Sequence, residues 1–387
     1  MFQGSSFLRR LINHSSPIAQ LGGRRTLVSH ATSSLRLAVD PYSGDEECAD
    51  IDWDNIGFGP RQTDYMYVTK TGRDGRFGEE EEMKLSRFGG IELTPSAGVL
   101  NYGQGLFEGV KAYRRENGGV FVFRPAENGR RMQMGADRMC MPAPSLSHFV
   151  RAVKQTALAN KRWMPPAGKG SLYVRPLLLG SGPVLGVAPA QEYTFIVFAC
   201  PVANYFKEGS SSLNLYIEDE FHRATRGGAG GVKSVTNYAP VLKPIMRAKE
   251  KGFSEVLYLD SVHKSYIEEA SASNIFIVKG KVVSTPPANG TILEGVTRKS
   301  IMDIARDQGF QVEERPIHVD ELKEAEEVFC TGTAVGVCRV GSITYKGNRI
   351  EYKIGSENVV HKLSSELAGI QSGTIEDKRG WVEEIGQ

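Results

Sequence analysis

With 387 residues, the chain is long enough for two domains with full-sized cores or for one large one. Its 40% apolar and 24% charged content is ordinary for a globular protein, and a formal net charge of +2 speaks against a dedicated nucleic-acid surface, which carries a strong basic excess. No apolar run of about eighteen residues occurs, so no segment is expected to span a membrane.

From Met1 to Val39 there is no Asp or Glu, while Arg9, Arg10, Arg24, Arg25 and Arg36 supply positive charge among many serines. Phe7 to Ile12 suits a short basic amphipathic helix, and residues 1–39 are expected to be an organelle transit peptide. The arginines favour a mitochondrial (matrix) address; a plastid (stroma) address is the alternative, because Ser-rich, acid-poor leaders serve both. The mature protein is expected to begin where Asp45, Glu46, Glu47, Asp50, Asp52 and Asp54 reverse the charge.

Trp53 to Val68 mixes aromatics and glycines, as an opening strand and its approach would. Thr71 to Lys84, with Gly72, Gly75, Gly78 and the run Glu79–Glu82, is predicted to be an exposed loop. Leu100 to Gly109 interleaves small residues with Tyr102 and Phe107, which suits a tight pocket wall. Gly119 to Arg124 alternates as a hairpin strand that Pro125 closes. Arg131, Met134 and Arg138 stand at helical spacing. Leu146, Phe149, Val150, Val153, Ala157 and Leu158 predict an amphipathic helix behind a Ser145 or Ser147 cap, ended by Pro165-Pro166. Strands follow at Ser171 to Arg175, before Pro176, and at Tyr193 to Cys200.

The polar stretch 201–212 is the clearest composition break and is expected to link two domains, a smaller one over 40–200 and a larger one over 213–387. In the second, strands are predicted at Leu213 to Glu218, Glu255 to Leu259 and Val328 to Cys330, with a hairpin of Asn274 to Val278 and Lys281 to Ser284. Helices are predicted at Ala239 to Lys251, from a Thr297 cap to Gly309, and at Asn358 to Gln371. Helices mixed with strands in both halves, without a strict β-α-β repeat, point to two α+β domains.

The chemistry concentrates around Gly227-Gly228-Ala229-Gly230-Gly231-Val232-Lys233, followed closely by Asn237-Tyr238. A lysine whose surroundings leave it a free amine is a nucleophile toward aldehydes. The glycines either let the backbone approach a planar ligand or act as a hinge. Leu293-Glu294-Gly295-Val296-Thr297-Arg298 offers free N–H groups at a helix start, suited to an anion, and Thr331-Gly332-Thr333-Ala334 is a second small-residue turn with donors. Glu268-Glu269 offers a carboxylate for a ring nitrogen. The five cysteines (Cys48, Cys140, Cys200, Cys330 and Cys338) are odd in number and scattered, which predicts buried thiols and no metal site.

Together, Glu269 to Phe276, Val283-Ser284-Thr285 and Leu293 to Arg298 resemble the signature of the class IV pyridoxal-phosphate aminotransferases. Asn101-Tyr102-Gly103, Phe107-Glu108-Gly109 and Tyr173-Val174-Arg175-Pro176 resemble the branched-chain amino acid aminotransferases within that class, and most closely the plant organellar type. The resemblance runs from about Trp53 to Trp381. It implies a two-domain α+β fold of fold-type IV, like the D-amino acid aminotransferases, with pyridoxal 5′-phosphate as cofactor. It also implies reversible transamination of leucine, isoleucine and valine with 2-oxoglutarate, and a homodimer.

By the same resemblance, Lys233 carries the cofactor and moves the substrate proton, Glu269 faces the pyridine nitrogen and Tyr238 the phenolic oxygen. Arg131, Gly295, Val296, Thr297 and Thr333 hold the phosphate end, and the N–H groups of Thr333 and Ala334 receive the substrate carboxylate. Phe58, Phe107, Tyr173 and Leu185 line the side-chain pocket, Tyr102 and Val187 reach it across the dimer contact, and Arg175 accepts the second carboxylate of glutamate. One departure is Ala334-Val335-Gly336-Val337-Cys338, where some animal members carry CxxC; no redox switch of that type is expected. The Tyr-Val-Arg-Pro block speaks against a D-amino acid aminotransferase or a lyase on the same scaffold, whereas a methionine-preferring relative stays open, because one methylene changes pocket binding by only about 1–3 kcal/mol.

Overall fold

The computed structural model describes residues 48–78, 85–203, 212–355 and 358–385. The basic leader and the Glu79–Glu82 run lie outside the described residues. One sheet, wholly antiparallel, is built from β1 (Tyr65–Gly72), β2 (Leu85–Arg87), β3 (Gly105–Phe107), β4 (Val110–Arg114), β5 (Val120–Phe123), β6 (Ser171–Gly180) and β7 (Glu192–Val202). Its order is β5-β4-β6-β7-β1-β2, with β3 also on β6. α1 (Gly98–Tyr102), α2 (Pro125–Arg138) and α3 (Leu146–Ala159) accompany it.

The apolar stripe of α3 buries Phe149, Val153 and Ala157 in one core with Leu178, Phe195 and Val197 of the sheet. The Ser145 hydroxyl accepts the His148 N–H at 3.2 Å, the cap foreseen in the sequence. The helix nevertheless stops at Asn160, well before Pro165. The Asn160 side-chain oxygen accepts the Asp64 and Tyr65 N–H groups, both at 3.0 Å, and its amide donates to the Thr156 and Tyr65 carbonyls.

A second correction concerns β6, which does not end before Pro176 but continues to Gly180. Proline is tolerated there because it falls in a gap of the neighbouring ladder. β4 pairs with Leu172 to Val174 and β3 with Leu177 to Leu179, and the Pro176 carbonyl faces that side, accepting the Glu108 N–H at 2.8 Å between the two strands, so the missing N–H falls in the gap and not in the continuous β7 ladder. β7 runs through Pro201 and Val202, inside the stretch read as a linker.

The second sheet comprises β8 (Leu213–Glu218), β9 (Glu255–Leu259), β10 (Tyr266–Ala270), β11 (Asn274–Lys279), β12 (Val282–Thr285), β13 (Gln311–Glu314), β14 (Ile317–His318), β15 (Glu327–Gly332), β16 (Gly336–Tyr345) and β17 (Asn348–Glu351). Its order is β13-β12-β11-β15-β16-β8-β9-β10-β14, with β17 on β16. The pairings β8 with β9, β8 with β16 and β12 with β13 are parallel and the others antiparallel. α4 (Leu242–Glu250), α5 (Val296–Asp307) and α6 (Val359–Ser372) pack around it, and Ile301, Ile304, Leu363 and Leu367 join Phe276 and Phe329 in its core. The last strand, β18 (Val382–Glu384), returns to the first sheet and pairs with β5. The result is a two-domain α+β architecture, with the chain's far end sewn back onto the first sheet.

Candidate active site

Lys233 sits where the two sheets meet. Its carbonyl accepts the Phe107 N–H at 3.1 Å, and Ser234 bridges Leu106, so the segment that enters from the second half lies along β3 of the first sheet. Asn237 fixes the preceding loop by donating to the Ala229 carbonyl at 2.7 Å and the Val232 carbonyl at 2.8 Å. Within the glycine run only Gly227 has a positive φ, of 74°. A Cβ on Gly230 would stand 2.6 Å from the Thr291 carbonyl oxygen and 2.4 Å from the Ala224 methyl, so this glycine serves a close approach between two protein loops. The half-buried Lys233 amine donates to the Tyr238 hydroxyl at 3.3 Å and lies 4.6 Å from the Phe107 ring centre.

Glu269 is 2% exposed and pairs with Arg223 at 2.8 Å. Its Oε1 accepts the Leu293 N–H at 2.9 Å and its Oε2 accepts the Asn274 amide at 3.0 Å. Burial pushes the carboxyl up to about 6 against the opposing pull of Arg223, the Leu293 N–H and Lys233. The pairing of β10 with β9 shifts register between Ile267 and Ala270, the stretch that carries both adjacent acids.

At the opposite end, Arg131 on α2 is 8% exposed and clasps Glu108 through two bonds, Nε to Oε1 at 2.8 Å and Nη2 to Oε2 at 2.6 Å. Burial opposes its charge, but the Glu108 carboxylate outweighs that and holds the guanidinium above its ordinary value. Asn128 supports the same carboxylate at 2.8 Å. Arg131 Nη1 donates to the Glu294 carbonyl at 2.8 Å, directly ahead of α5. That helix is capped by Gly295, with Thr297 at its second position, which corrects the expected Thr297 cap. No side chain caps its N–H groups. A Cβ at Gly295 would fall 2.1 Å from Asn274 Oδ1, so glycine lets Asn274 reach both Glu269 and the Leu293 carbonyl.

Val296, Thr297 and Thr333 border one cavity together with Asn128 and Lys111. Lys111 donates to the Ala334 carbonyl at 3.3 Å, and burial pushes its ammonium down to about 8. Nearby in sequence, the fully buried Thr331 hydroxyl has no hydrogen-bond partner among the described residues. An uncapped helix start and the small-residue turn of Gly332 and Thr333, bordering one cavity, make a fitting cradle for a phosphate.

The pocket residues fall into two groups. Phe58 packs edge-on against Tyr173 with ring centres 5.5 Å apart, and Phe107 meets Tyr238 at 4.8 Å. The Arg175 guanidinium covers the Phe107 ring at 5.0 Å and the Tyr173 ring at 5.2 Å, and its buried Nε lacks a partner among the described residues. Leu185 does not join them: it is 90% exposed, as is Val187, and its carbonyl accepts the Tyr102 hydroxyl. Within one chain, then, Tyr102, Leu185 and Val187 form a separate exposed patch. Sequence inspection alone missed Arg223, Glu108, Asn128, Asn274 and Lys111, although Glu108 lies inside the quoted Phe107-Glu108-Gly109 block.

The family model for amino-transferase class IV matches residues 105–343, which contain Lys233, Glu269 and the α5 start. The chain belongs to this family. It is 64% identical over 89% of its length, and 88% of the other chain, to branched-chain-amino-acid aminotransferase 2, chloroplastic, of Arabidopsis thaliana. It is 60% identical over 92% of its length, and 90% of the other, to branched-chain amino acid aminotransferase 1, mitochondrial, of Humulus lupulus. Among solved structures it resembles the branched-chain amino acid aminotransferase from Escherichia coli, at a TM-score of 0.70 and 26% identity, covering 84% of this chain and 100% of that one. Class IV aminotransferases use pyridoxal 5′-phosphate, and the buried Glu269 carboxyl, the Lys233 amine and the uncapped α5 start described above suit that group. No described helix is long and apolar enough to cross a membrane, and the described residues hold no cluster of metal ligands.

Proposed function

We propose that the protein catalyses reversible transamination between branched-chain L-amino acids (leucine, isoleucine, valine) and 2-oxoglutarate, yielding branched-chain 2-oxo acids and L-glutamate. The observation that carries this is the aromatic box of Phe58, Phe107 and Tyr173 roofed by Arg175. The rings offer an apolar surface to an aliphatic side chain, while the Arg175 guanidinium beside them offers a positive charge to the second carboxylate of glutamate. One pocket therefore serves both partners of the exchange in turn.

Pyridoxal 5′-phosphate, when bound, supplies the electron sink that stabilises negative charge at the substrate α-carbon. Lys233 holds it and moves the proton at the α-carbon, oriented by the Tyr238 hydroxyl and the Phe107 face. When the cofactor is bound, Glu269 would keep a proton on its ring nitrogen, Tyr238 would face its phenolic oxygen, and Arg131 with the N–H groups of Val296 and Thr297 and the Thr333 turn would hold its phosphate. Gly295 opens that helix start. The Thr333 and Ala334 N–H groups take the substrate carboxylate, on a turn that Lys111 braces.

The exposed Tyr102, Leu185 and Val187 patch fits a homodimer in which each chain completes its partner's pocket. The domain limits 40–200 and 213–387 belong to the same proposal, except that β7 carries the first domain to Val202 and β18 crosses back to its sheet; so does a mitochondrial matrix address over a plastid one, on the arginine pattern of the leader. The test is a panel of half-reactions of the cofactor-loaded enzyme with leucine, isoleucine, valine and methionine, each followed by 2-oxoglutarate. The branched-chain trio should turn over fastest; a clear preference for methionine would overturn the substrate assignment.

A further inference from the structure

Glu108 is fully buried, and none of the roles above uses it. It lies in the break between β3 and β4, where its N–H donates to the Pro176 carbonyl of β6 at 2.8 Å. Its side chain is fixed as firmly. Oε1 accepts Arg131 Nε at 2.8 Å, while Oε2 accepts Arg131 Nη2 at 2.6 Å and the Asn128 amide at 2.8 Å. The same Asn128 amide donates to the Gly109 carbonyl at 3.0 Å, so one acid ties α2 to the first sheet.

A buried ion pair seldom repays its own desolvation, and apolar side chains of the same volume often leave a fold as stable or more so. Stability is therefore a poor reason for this pair, whereas the donors it leaves on Arg131 suit a purpose. A guanidinium has five N–H groups. Glu108 takes two of them, on Nε and Nη2, and the Glu294 carbonyl takes one, on Nη1. Among the described residues, one N–H then remains on each terminal nitrogen. Both stand beside Glu294, directly ahead of the Gly295 cap of a helix that no side chain caps.

We propose that Glu108 is a positioning residue for the cofactor phosphate: by clasping Arg131 side-on, it holds the two remaining N–H groups at the α5 start, where they meet phosphate oxygens together with the helix N–H groups. This rests on the reading that Arg131 and α5 receive the phosphate. The clasped pair carries no net charge, so Arg131 contributes directed hydrogen bonds more than attraction. Removing the carboxylate has two opposed effects. The site gains net positive charge, which by Coulomb attraction alone tightens a phosphate dianion. The guanidinium loses its fixed orientation, which loosens it. The second effect prevails if Glu108 acts by positioning.

Calorimetric titration of the full-length protein, freed of cofactor, tests this with two ligands: pyridoxamine 5′-phosphate, and pyridoxamine, which lacks the phosphate. Wild type should strongly favour the phosphorylated one. Glu108→Gln should weaken pyridoxamine 5′-phosphate roughly tenfold or more, the loss expected for a bond to a charged group, and leave pyridoxamine unchanged. Asn128→Ala removes one support of the carboxylate and keeps the ion pair; it should have the same selective effect at roughly threefold, and it decides the matter if Glu108→Gln does not fold. Unchanged or tighter binding of the phosphorylated ligand in the variants, or an equal loss of both ligands, overturns the proposal. A wild type without preference for the phosphorylated ligand would overturn the phosphate reading itself, and the proposal with it.

Discussion

Lys233 owes its position to Phe107 and Asn237 and its electrostatic setting to Glu269, residues from three separate stretches of chain. Lys233→Ala should lower turnover by at least about 10³-fold, within the range for loss of a positioned acid–base group, while the variant still binds cofactor reversibly; dialysis and single-turnover assays read both. Glu269 carries a pH signature. Its folded value, raised to about 6, exceeds its ordinary 4.5, so in cofactor-free protein its stabilising contribution is complete below about 4.5 and is lost as pH rises through about 6. Between about 4.5 and 6 the wild type should therefore lose stability relative to Glu269→Gln, which mimics the protonated carboxyl and does not titrate there; melting curves whose difference is independent of pH across that window would count against it. Arg175→Leu should separate the two substrates, raising KM for 2-oxoglutarate by roughly 10–100-fold while the leucine half-reaction changes little. Lys233, Glu269, Arg131 and Arg175 could be singled out as candidates from the sequence because each sits in a block of recognisable neighbours. Arg223 could not, because a buried ion pair between β10 and the approach to a glycine loop leaves no periodic trace; Asn274 stood inside the Glu269 to Phe276 block, but its partners are set by the fold.

At the scale of elements, the start of α5 shows how one small residue governs a site. Gly295→Ala would drive a methyl into Asn274 Oδ1 and displace the amide that holds both Glu269 and the Leu293 carbonyl. The expected cost is about 1–3 kcal/mol of stability, with weakened cofactor binding, checked by melting curves with and without pyridoxal 5′-phosphate. Strongly periodic elements were readable: α3 with its Ser145 cap, β8, β9 and the β11–β12 hairpin around Gly280 all arise from local patterns. β16 was not, since Gly336, Gly341 and Ser342 break its alternation and its β15 and β8 neighbours supply what the sequence lacks. Pro176 misled for the converse reason: a residue that usually ends a strand is harmless where the adjacent ladder has a gap.

For the whole molecule, the exposed patch of Tyr102, Leu185 and Val187 makes assembly and activity inseparable in the proposed dimer. Leu185→Asp should shift sedimentation toward the monomer and lower kcat/KM at low protein concentration, with recovery as concentration rises; unchanged sedimentation would count against the dimer contact. The two-sheet plan was legible from composition and mixed periodicity, but the return of β18 to β5 was not, because three residues carry too little pattern to name a partner so distant in the chain.

That return sets an order on biosynthesis. Until Val382–Glu384 has left the ribosome, the outer edge of β5 has no strand beside it, although the rest of the first sheet was translated long before. Trp381, packed on Phe123 and stacked by Arg124, is missing over the same interval. A nascent chain therefore carries an open, pairing-competent edge through most of its synthesis, the kind of edge that invites self-association. Nonsense mutations ahead of Trp381 should accordingly be recovered in aggregates even when every residue of the reaction site has been made.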